Sequence, residues 1–398
     1  MSYTSSRPRY VFSFAAISYN FLNVLHASKL DIAKKTFIIG DIMIKIPYEY
    51  RRERLKVLMR KKGYPALLVS HAINRFYLSG FELHDPQYNE STGFLLIQAK
   101  GQDWLLTDPR YTQAALRLWP EEQLFIATGT KKKQIRNFLK AYVTSSLAIE
   151  SHYLCVEIFN YLAEALPLVA TTGLVETLRM VKDSSELASI EHSCRLNTAL
   201  MEATPDLLMP GMTEKETAWT IEHYFREHGA SGLAFNSIVA VGPNAAMPHA
   251  IPGEDRILDN GPVLVDVGCR LDDYCSDQTR TFWVGPRPSD DFLRTCYRVK
   301  TAQIKVIADL RPGLPIARAY HIARTYFEDE NVAEHFVHAL GHGIGLETHE
   351  PPTLSPLAEG IFQAGMVITV EPGLYYPEWG GVRWEYMVAI TEDGAQVL

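Results

Sequence analysis

Four carboxylates lie in stretches of sequence that are otherwise typical of apolar strands. They are Asp266, Asp277, Glu371 and Glu385. Carboxylates are seldom buried unless another group pairs with them. A network of salt bridges with Arg280 and Arg383 is one solution, but buried ion pairs stabilise a fold weakly at best. Divalent cations convert the repulsion between carboxylates into coordination, so the pattern predicts a metal centre.

The stretch VLVDVGCRLDDYCSDQTRTF, residues 263–282, predicts a β-hairpin that contains the first acidic pair. With the turn at Leu271 and Asp272, Asp266 stands opposite Asp277. Directly opposed Cβ atoms are ~4.5–5.5 Å apart, and like charges at that distance destabilise a sheet. A cation held between the two strands removes this penalty.

A nitrogen ligand is offered by HFVHALGHGIGLETHEPP, residues 335–352. His338 and His342 have the i, i+4 spacing of one helical face, but no glutamate follows His338 as in the zinc motif HExxH. Three glycines at alternate positions instead predict irregular backbone, which brings His342 close to an ion. Four carboxylates and one imidazole suit manganese, iron or cobalt, with zinc possible. Two such ions, ~3.5–4 Å apart, lower the pKa of a shared water and polarise a carbonyl.

Two domains are predicted to position these residues. From residue 43 to 172, helical patterns alternate with strand-like runs such as PALLVS and GFLLIQ, which indicates an α/β domain. Residues 173–398 then form the second domain. Its first long helix is predicted to begin after Asp183, with Glu186 as the capping-box partner.

The second domain contains a weak internal repeat. MPGMTEKETAWTIEHYFREHG and RPGLPIARAYHIARTYFEDEN both carry Pro-Gly ahead of a predicted helix, and Thr213 with Glu216 forms a capping box in the first copy. The stretch VLVDVG, which contains Asp266, is similar to VITVEPG, which contains Glu371. The second acidic pair therefore occupies the same place in its copy as the first pair does in the first copy. A duplicated α+β unit whose halves face each other would bring both pairs to one place.

The composition and net charge argue against several classes of protein. The 398 residues are 47% hydrophobic and 21% charged, as in ordinary globular proteins, and the net charge of −7 gives no reason to expect nucleic acid or membrane as a partner. Five cysteines without a CxxC spacing argue against a disulfide framework and predict a cytoplasmic location. Residues 1–42 are too polar for a membrane span and are interpreted as an extension that precedes a natural start at Met43.

These motifs resemble those of the M24 metallopeptidases, the pita-bread family of Xaa-Pro aminopeptidases, prolidases and methionine aminopeptidases. The matching stretches are DVGCRLDDYCSDQTRTF, GHGIG, VEPGLY and VRWEYMV, and NRFYLSGF and TDPRYTQAA are similar to motifs of the creatinase-type N-terminal domain. Methionine aminopeptidases generally lack that domain, so the resemblance favours the Xaa-Pro branch. It implies an α+β pita-bread catalytic domain over residues 173–398, preceded by a smaller creatinase-type α/β domain over residues 43–172.

The resemblance also implies a set of metal ligands. They are Asp266, Asp277, His342, Glu371 and Glu385. By analogy with the family, Asp266 would chelate one ion, while Asp277 and Glu385 would bridge both ions. His342 and Glu371 would complete the other site, with Glu371 also acting as general base.

Four further residues match family positions around the metals. His249 is similar to the histidine that contacts the substrate and the developing tetrahedral intermediate, and His349 to a second histidine near the substrate proline. His338 and Arg383 match residues that orient the ligands. A purely structural hydrogen-bonding role is the other interpretation of His338 and Arg383.

The function expected from this resemblance is hydrolysis of the bond between an N-terminal residue and proline by a dinuclear metal exopeptidase. An Xaa-Pro aminopeptidase is the first expectation, and an Xaa-Pro dipeptidase (prolidase) or a metal-dependent sulfoniopropionate lyase of the same fold are the alternatives. Creatine hydrolysis without metal and a non-enzymatic binding role do not fit five retained ligands. Manganese is the expected metal, with cobalt, iron or zinc as alternatives. The expected partners are peptides with proline in second position and further copies of the chain, as a homodimer or higher oligomer.

Overall fold

The structure is a computed structural model, and it describes residues 11–12, 48–87 and 90–398. The extension predicted over residues 1–42 therefore lies outside the described residues, apart from Val11–Phe12 (β1). No helix in these ranges is both long and apolar enough to cross a lipid bilayer. The chain divides into two compact units, each described by itself: the first spans residues 43–179, and the second spans residues 180–398 and includes β1.

The first unit is built on one mixed sheet of six strands. They are β2 Ala66–Val69, β3 Gly93–Gln98, β4 Trp104–Thr107, β5 Leu124–Ile126, β6 Leu147–Glu150 and β7 Leu168–Thr171. Their order is β5-β4-β3-β2-β6-β7, in which β2 is parallel to β6 and antiparallel to β3. The strands alternate with helices α1 Tyr48–Lys62, α2 Ala72–Ser79, α3 Thr112–Leu118, α4 Lys131–Tyr142, α5 Val156–Ala163 and α6 Glu176–Arg179. This unit has the α/β alternation that the sequence predicts.

Within the residues that the structure describes, the second unit has four long helices. They are α7 Ser184–Leu207, α8 Glu214–Glu227, α9 Asp290–Asp309 and α10 Ile316–Asp329. The Asp183 side chain accepts bonds from the first turn of α7, and Glu186 returns a bond to the amide of Asp183. Thr213 and Glu216 form the same reciprocal pair at the start of α8. Both predicted capping boxes are thus confirmed, because each depends only on residues three apart.

The described strands of the second unit form four sheets. In chain order they are β8 Gly232–Leu233, β9 Ile238–Val241, β10 Gly261–Val267, β11 Cys269–Leu271, β12 Tyr274–Cys275, β13 Gln278–Val284, β14 His342–Gly343, β15 Glu350–Thr353, β16 Val367–Val370, β17 Gly373–Tyr376, β18 Gly380–Arg383, β19 Tyr386–Ile390 and β20 Ala395–Val397. Two sheets have the orders β1-β13-β10-β9 and β12-β11-β8. The others are β15-β14-β16-β19-β20 and the hairpin β17-β18.

Each half of the second unit has its own core. Side chains of α7 and α8 pack on β10 and β13, with Phe225 and Val265 fully buried between them. Side chains of α9 and α10 pack on β16 and β19, with Phe327 and Ile368 fully buried. Two helices over a hairpin that carries an acidic pair therefore occur twice, in agreement with the predicted duplication.

The predicted register of the first acidic hairpin is wrong. Leu271 pairs with Tyr274, so the turn residues are Asp272 and Asp273. Their φ angles of 50° and 69° lie in the left-handed region that a tight two-residue turn needs and that aspartate tolerates. As a result, Asp266 faces Thr279 and not Asp277.

Candidate metal centre

All five predicted ligands line one cavity of ≈ 720 Å³ in the second unit. Each lies in or next to a strand: Asp266 in β10, Asp277 just before β13, His342 at the start of β14, Glu371 just after β16 and Glu385 just before β19. The two acidic hairpins therefore supply two carboxylates each, and the glycine-rich segment supplies the imidazole. As predicted, that segment is not helical around His342.

Three of these side chains are close enough to share one cation. Ligand atoms of Asp277, His342 and Glu385 all lie within 4.8 Å of one another. The Nε2 atom of His342 is 3.7 Å from Asp277 Oδ2 and 3.4 Å from Glu371 Oε1. This imidazole nitrogen thus points toward carboxylates of both hairpins.

Local hydrogen bonds fix the orientation of His342 and Glu371. The hydroxyl of Thr369 accepts a bond from the His342 amide at 3.0 Å and donates to Glu371 Oε1 at 3.1 Å. On the His342 ring, Nδ1 is 3.1 Å from the carbonyl oxygen of Gly343. Donation from Nδ1 to that carbonyl leaves the lone pair of Nε2 available to a metal.

Asp266 is held by Arg383. Arg383 Nη2 donates to Asp266 Oδ2 at 2.6 Å, and Nη1 donates to the hydroxyl of Tyr375 at 2.8 Å. The same hydroxyl is 2.9 Å from His338 Nε2. Arg383 and His338 therefore lie behind the ligands, where they can orient them, and Tyr375 joins the two.

Glu385 is oriented by Thr279. The Thr279 hydroxyl donates to Glu385 Oε2 at 2.7 Å and accepts a bond from Arg383 Nε at 3.1 Å. Only one oxygen of the carboxylate is used in this contact. The other oxygen, Oε1, is left for a different partner.

Two buried oxygens test whether this cluster fits a cation. Asp266 Oδ1 and Glu385 Oε1 have no hydrogen-bond partner within the described residues. A buried acceptor without a partner costs ~1–3 kcal/mol, and more when it is charged. Bound divalent cations would satisfy these oxygens with the coordination that hard metals prefer, so the residues present fit the predicted metals.

The pKa values of the clustered residues are also consistent with a cation site. Burial raises the pKa of Asp277 well above its ordinary value, and the nearby Glu385 charge raises it further. Burial likewise raises the pKa of Glu385, followed by the charge of Glu371, and raises the pKa of Glu371 to about 7. Burial lowers the pKa of His342 to about 3, which keeps the imidazole neutral. Positive charge placed among these groups would favour the ionised carboxylates, which are the metal-binding forms.

The two remaining predicted histidines also line the cavity. The rings of His342 and His349 have centroids 4.2 Å apart at an interplanar angle of 78°. Burial lowers the pKa of His349, and the neighbouring His249 lowers it further. The structure thus brings all nine predicted site residues into or directly behind one cavity.

Sequence reasoning did not identify three residues that hydrogen-bond to the predicted site residues. They are Thr279, Thr369 and Tyr375. Threonine and tyrosine are common in strands, so their residue type gives no signal there. The only available clue is position, because Thr279 and Thr369 each lie two residues from a predicted ligand.

Two protein-family models together match most of the chain. The model of metallopeptidase family M24 matches residues 188–392, and that of the creatinase/prolidase N-terminal domain matches residues 51–181. The Xaa-Pro dipeptidase of Pyrococcus furiosus is 31% identical over 350 residues, which cover 87% of this chain and 97% of that protein.

The chain is also similar to solved structures of Xaa-Pro peptidases. An Xaa-Pro dipeptidase from Bacillus anthracis has a TM-score of 0.82 at 31% identity, covering 88% of this chain and 97% of that one. An X-Pro aminopeptidase from Thermotoga maritima has a TM-score of 0.76 at 27% identity, covering 86% of this chain and 97% of that one.

Proposed function

Because the chain belongs to metallopeptidase family M24, we propose that it hydrolyses the peptide bond between an N-terminal residue and a following proline. The family matches confirm the expected fold, a creatinase-type N-terminal domain followed by a pita-bread catalytic domain, and they confirm a metallo-exopeptidase. The observation that carries the proposal is the intact set of five ligands with two unsatisfied buried carboxylate oxygens.

The proposed roles of the ligands are those that the family resemblance implies. Asp266, whose Oδ2 is bound by Arg383, would hold one ion through Oδ1. Asp277 and Glu385 would bridge two ions, and His342 with Glu371 would complete the second site. When bound, two divalent ions lower the pKa of a water and polarise a carbonyl. Manganese remains the expected metal, because oxygen ligands predominate in the set.

The chain itself would move the proton and orient the substrate. Glu371 would accept the proton of the attacking water, since Thr369 fixes its carboxylate beside the proposed metal site. His249 and His349 line the same cavity and would donate hydrogen bonds to the substrate carbonyl region. A proline after the scissile bond has no N–H and a fixed φ, which explains a dedicated site.

Substrate length separates two candidate functions. An aminopeptidase was the first expectation from the sequence, but the relatives named Xaa-Pro dipeptidases support the dipeptidase alternative better. We therefore propose Xaa-Pro dipeptides as the substrates to test first.

One observation favours the aminopeptidase as second candidate. Among the described residues that line the cavity, Arg383 is the only arginine or lysine, and its nitrogens already bind Asp266, Thr279 and Tyr375. A dipeptide carries its terminal carboxylate one residue from the scissile bond. Such a charge in a cavity lined by carboxylates is unfavourable unless a cation receives it, whereas a longer peptide presents a neutral amide there.

A substrate panel tests both candidates. Metal-stripped protein would be reloaded with manganese, cobalt or zinc and assayed on Ala-Pro, Ala-Pro-Ala and the control Ala-Ala-Ala. Cleavage restricted to Ala-Pro supports the dipeptidase, and efficient cleavage of Ala-Pro-Ala supports the aminopeptidase. If no metal supports cleavage of either proline peptide, the peptidase proposal fails and the sulfoniopropionate lyase becomes the reaction to test.

Two further expectations stay predictions from the sequence. All five cysteines are free, which agrees with the reducing, cytoplasmic compartment that we propose. A homodimer or higher oligomer is proposed on the family resemblance, and light scattering of the purified protein tests it.

A further inference from the structure

Arg280 is a buried cation directly behind the metal centre. Its side chain forms no ion pair with any carboxylate in the part of the chain that the structure describes, and only 8% of the residue is exposed. Its guanidinium carbon lies 4.5 Å from the ring centroid of Trp384 and 4.2 Å from that of Tyr386. Nη1 donates to the carbonyl oxygen of Glu385, between those two rings. Three consecutive residues thus enclose one guanidinium.

Two residues of strand β13 hold Glu385 at three points. Arg280 Nη1 also donates to the carbonyl of Thr279 at 2.7 Å, and that carbonyl accepts a bond from the Glu385 amide at 3.1 Å. The Thr279 hydroxyl binds the carboxylate of Glu385 at Oε2. The amide, carbonyl and carboxylate of Glu385 are therefore all fixed by two neighbouring residues of β13.

We infer that Arg280 is a positioning residue that fixes the backbone of Glu385 and so aims its free oxygen at the metals. The inference rests on the proposed function, because it concerns a carboxylate assigned there to both ions. A buried charge without a carboxylate partner costs several kcal/mol, so packing alone is better served by an apolar side chain. Arginine suits the task because its planar guanidinium stacks on rings while its N–H groups donate in the plane.

Two substitutions of Arg280 separate geometry from charge. Arg280→Lys keeps the charge without the planar group, and Arg280→Met removes the charge. Removal of residues that orient metal ligands typically costs ~10–100-fold in metal affinity or activity. Both variants should therefore bind manganese ~10–100-fold more weakly by titration calorimetry. Their kcat at saturating metal should fall by a similar factor, with KM within ~3-fold of the wild-type value.

Lys300 provides the matched control. Its ammonium lies 3.6 Å from the centroid of the same Trp384 ring, so Lys300→Met also removes a cation from that ring. It leaves the bonds from Arg280 to the Glu385 and Thr279 carbonyls in place. Manganese affinity and kcat of Lys300→Met should stay within ~3-fold of wild type, even if its melting temperature falls.

A second pair of variants applies if the Arg280 substitutions fail to fold. Tyr386→Leu removes one wall around the guanidinium and should weaken manganese binding by ~5-fold or more, and Tyr386→Phe keeps the ring and should restore it. Arg280 variants, or Tyr386→Leu, that fold and retain wild-type manganese affinity and kcat would overturn the inference. A wild-type protein that binds manganese but cleaves no Xaa-Pro peptide overturns the proposed function instead, while the affinities still test Arg280.

Discussion

Replacing Glu371 by glutamine should stabilise the metal-free protein at pH 8 while it abolishes the activity of the metal-loaded protein. Burial raises the pKa of this carboxyl to about 7, although Arg383 opposes the shift, whereas its ordinary value is 4.5. A carboxylate that is hard to ionise in the native state costs stability wherever the unfolded chain ionises it freely. Glutamine has nearly the same shape and no charge.

The sign of the effect follows from proton binding. Below pH 4.5 the carboxyl is protonated in the folded and the unfolded state, so its burial carries no pH-dependent cost. Between pH 4.5 and 7 the unfolded chain releases a proton that the native state keeps, and native stability falls as the pH rises. Above pH 7 the whole cost is present. At about 1.4 kcal/mol for each pH unit of the shift, Glu371 destabilises the metal-free protein by about 3 kcal/mol.

Thermal unfolding with a chelator measures this cost. At pH 8, Glu371→Gln should be about 3 kcal/mol more stable than wild type, and at pH 5 the gain should shrink to about 1 kcal/mol. The side-chain oxygen of glutamine can still accept the Thr369 bond, so no other contact has to be lost. For a folding unit of this size, the gain at pH 8 corresponds to a rise in Tm of roughly 6–12 °C.

An exposed glutamate one strand further along the chain gives the control. Glu378 lies between β17 and β18, and Glu378→Gln should change Tm little at either pH. Manganese should reverse the order, because it stabilises wild type and binds Glu371→Gln weakly. The reasoning is refuted if the metal-free Glu371→Gln protein is no more stable than wild type at pH 8, or if its gain at pH 5 is as large.

Asp277→Asn should prevent binding of the full metal complement and abolish turnover. It should not lower the Tm of the metal-free protein, since it removes a buried charge. Metal analysis and melting curves measure these two effects, and near-normal activity would contradict the dinuclear assignment. Tyr375→Phe removes the hydroxyl that joins Arg383 to His338, so kcat should fall ~10-fold or more with unchanged metal content, and an unchanged kcat would mean a purely structural contact. The manganese affinity should fall at least about tenfold for each pH unit below 7, because Glu371 must lose its proton before it can bind the metal and Asp277 and Glu385 also have raised pKa values. Calorimetry between pH 5.5 and 7.5 tests this, and a flat profile would contradict the raised pKa values.

The parts of the structure that the sequence predicts are those with a local or chemically unusual signal. The capping boxes at Asp183 and Thr213 form as expected, because each is encoded by residues three positions apart. Four of the proposed ligands could be singled out because carboxylates in apolar strands need a partner, and the structure places them in one cavity with His342. Neither inference needed any knowledge of long-range packing.

The hairpin register shows what such signals leave open. Every residue of β13 is buried, as are all but one in β10, so the alternation of apolar and polar residues that normally fixes a register is absent. The register is decided by the turn, where Asp272 and Asp273 both adopt positive φ. Asp272 can be either the first or the second residue of such a turn. The sequence alone therefore does not decide between a turn at Leu271–Asp272 and one at Asp272–Asp273.

This register explains how two hairpins build one centre. The ladder pairs Val267 with Gln278 and resumes only at Arg270 with Cys275, so Asp277 lies beside Gly268 in the gap. A side chain at Gly268 would come within 2.1 Å of a backbone oxygen, so the close approach requires glycine.

The two acids proposed to bridge the ions are the ones whose amides cross between the hairpins. The amide of Asp277 donates to the sulfur of Met387 at 3.3 Å, and the amide of Glu385 donates to the carbonyl of Thr279 at 3.1 Å. In the register expected from the sequence, Asp277 would return to the ladder opposite Asp266, and Thr279 would move away from Glu385. The proposed metal centre therefore depends on a two-residue turn several residues away, because that turn decides which strand positions leave the first hairpin and join the second.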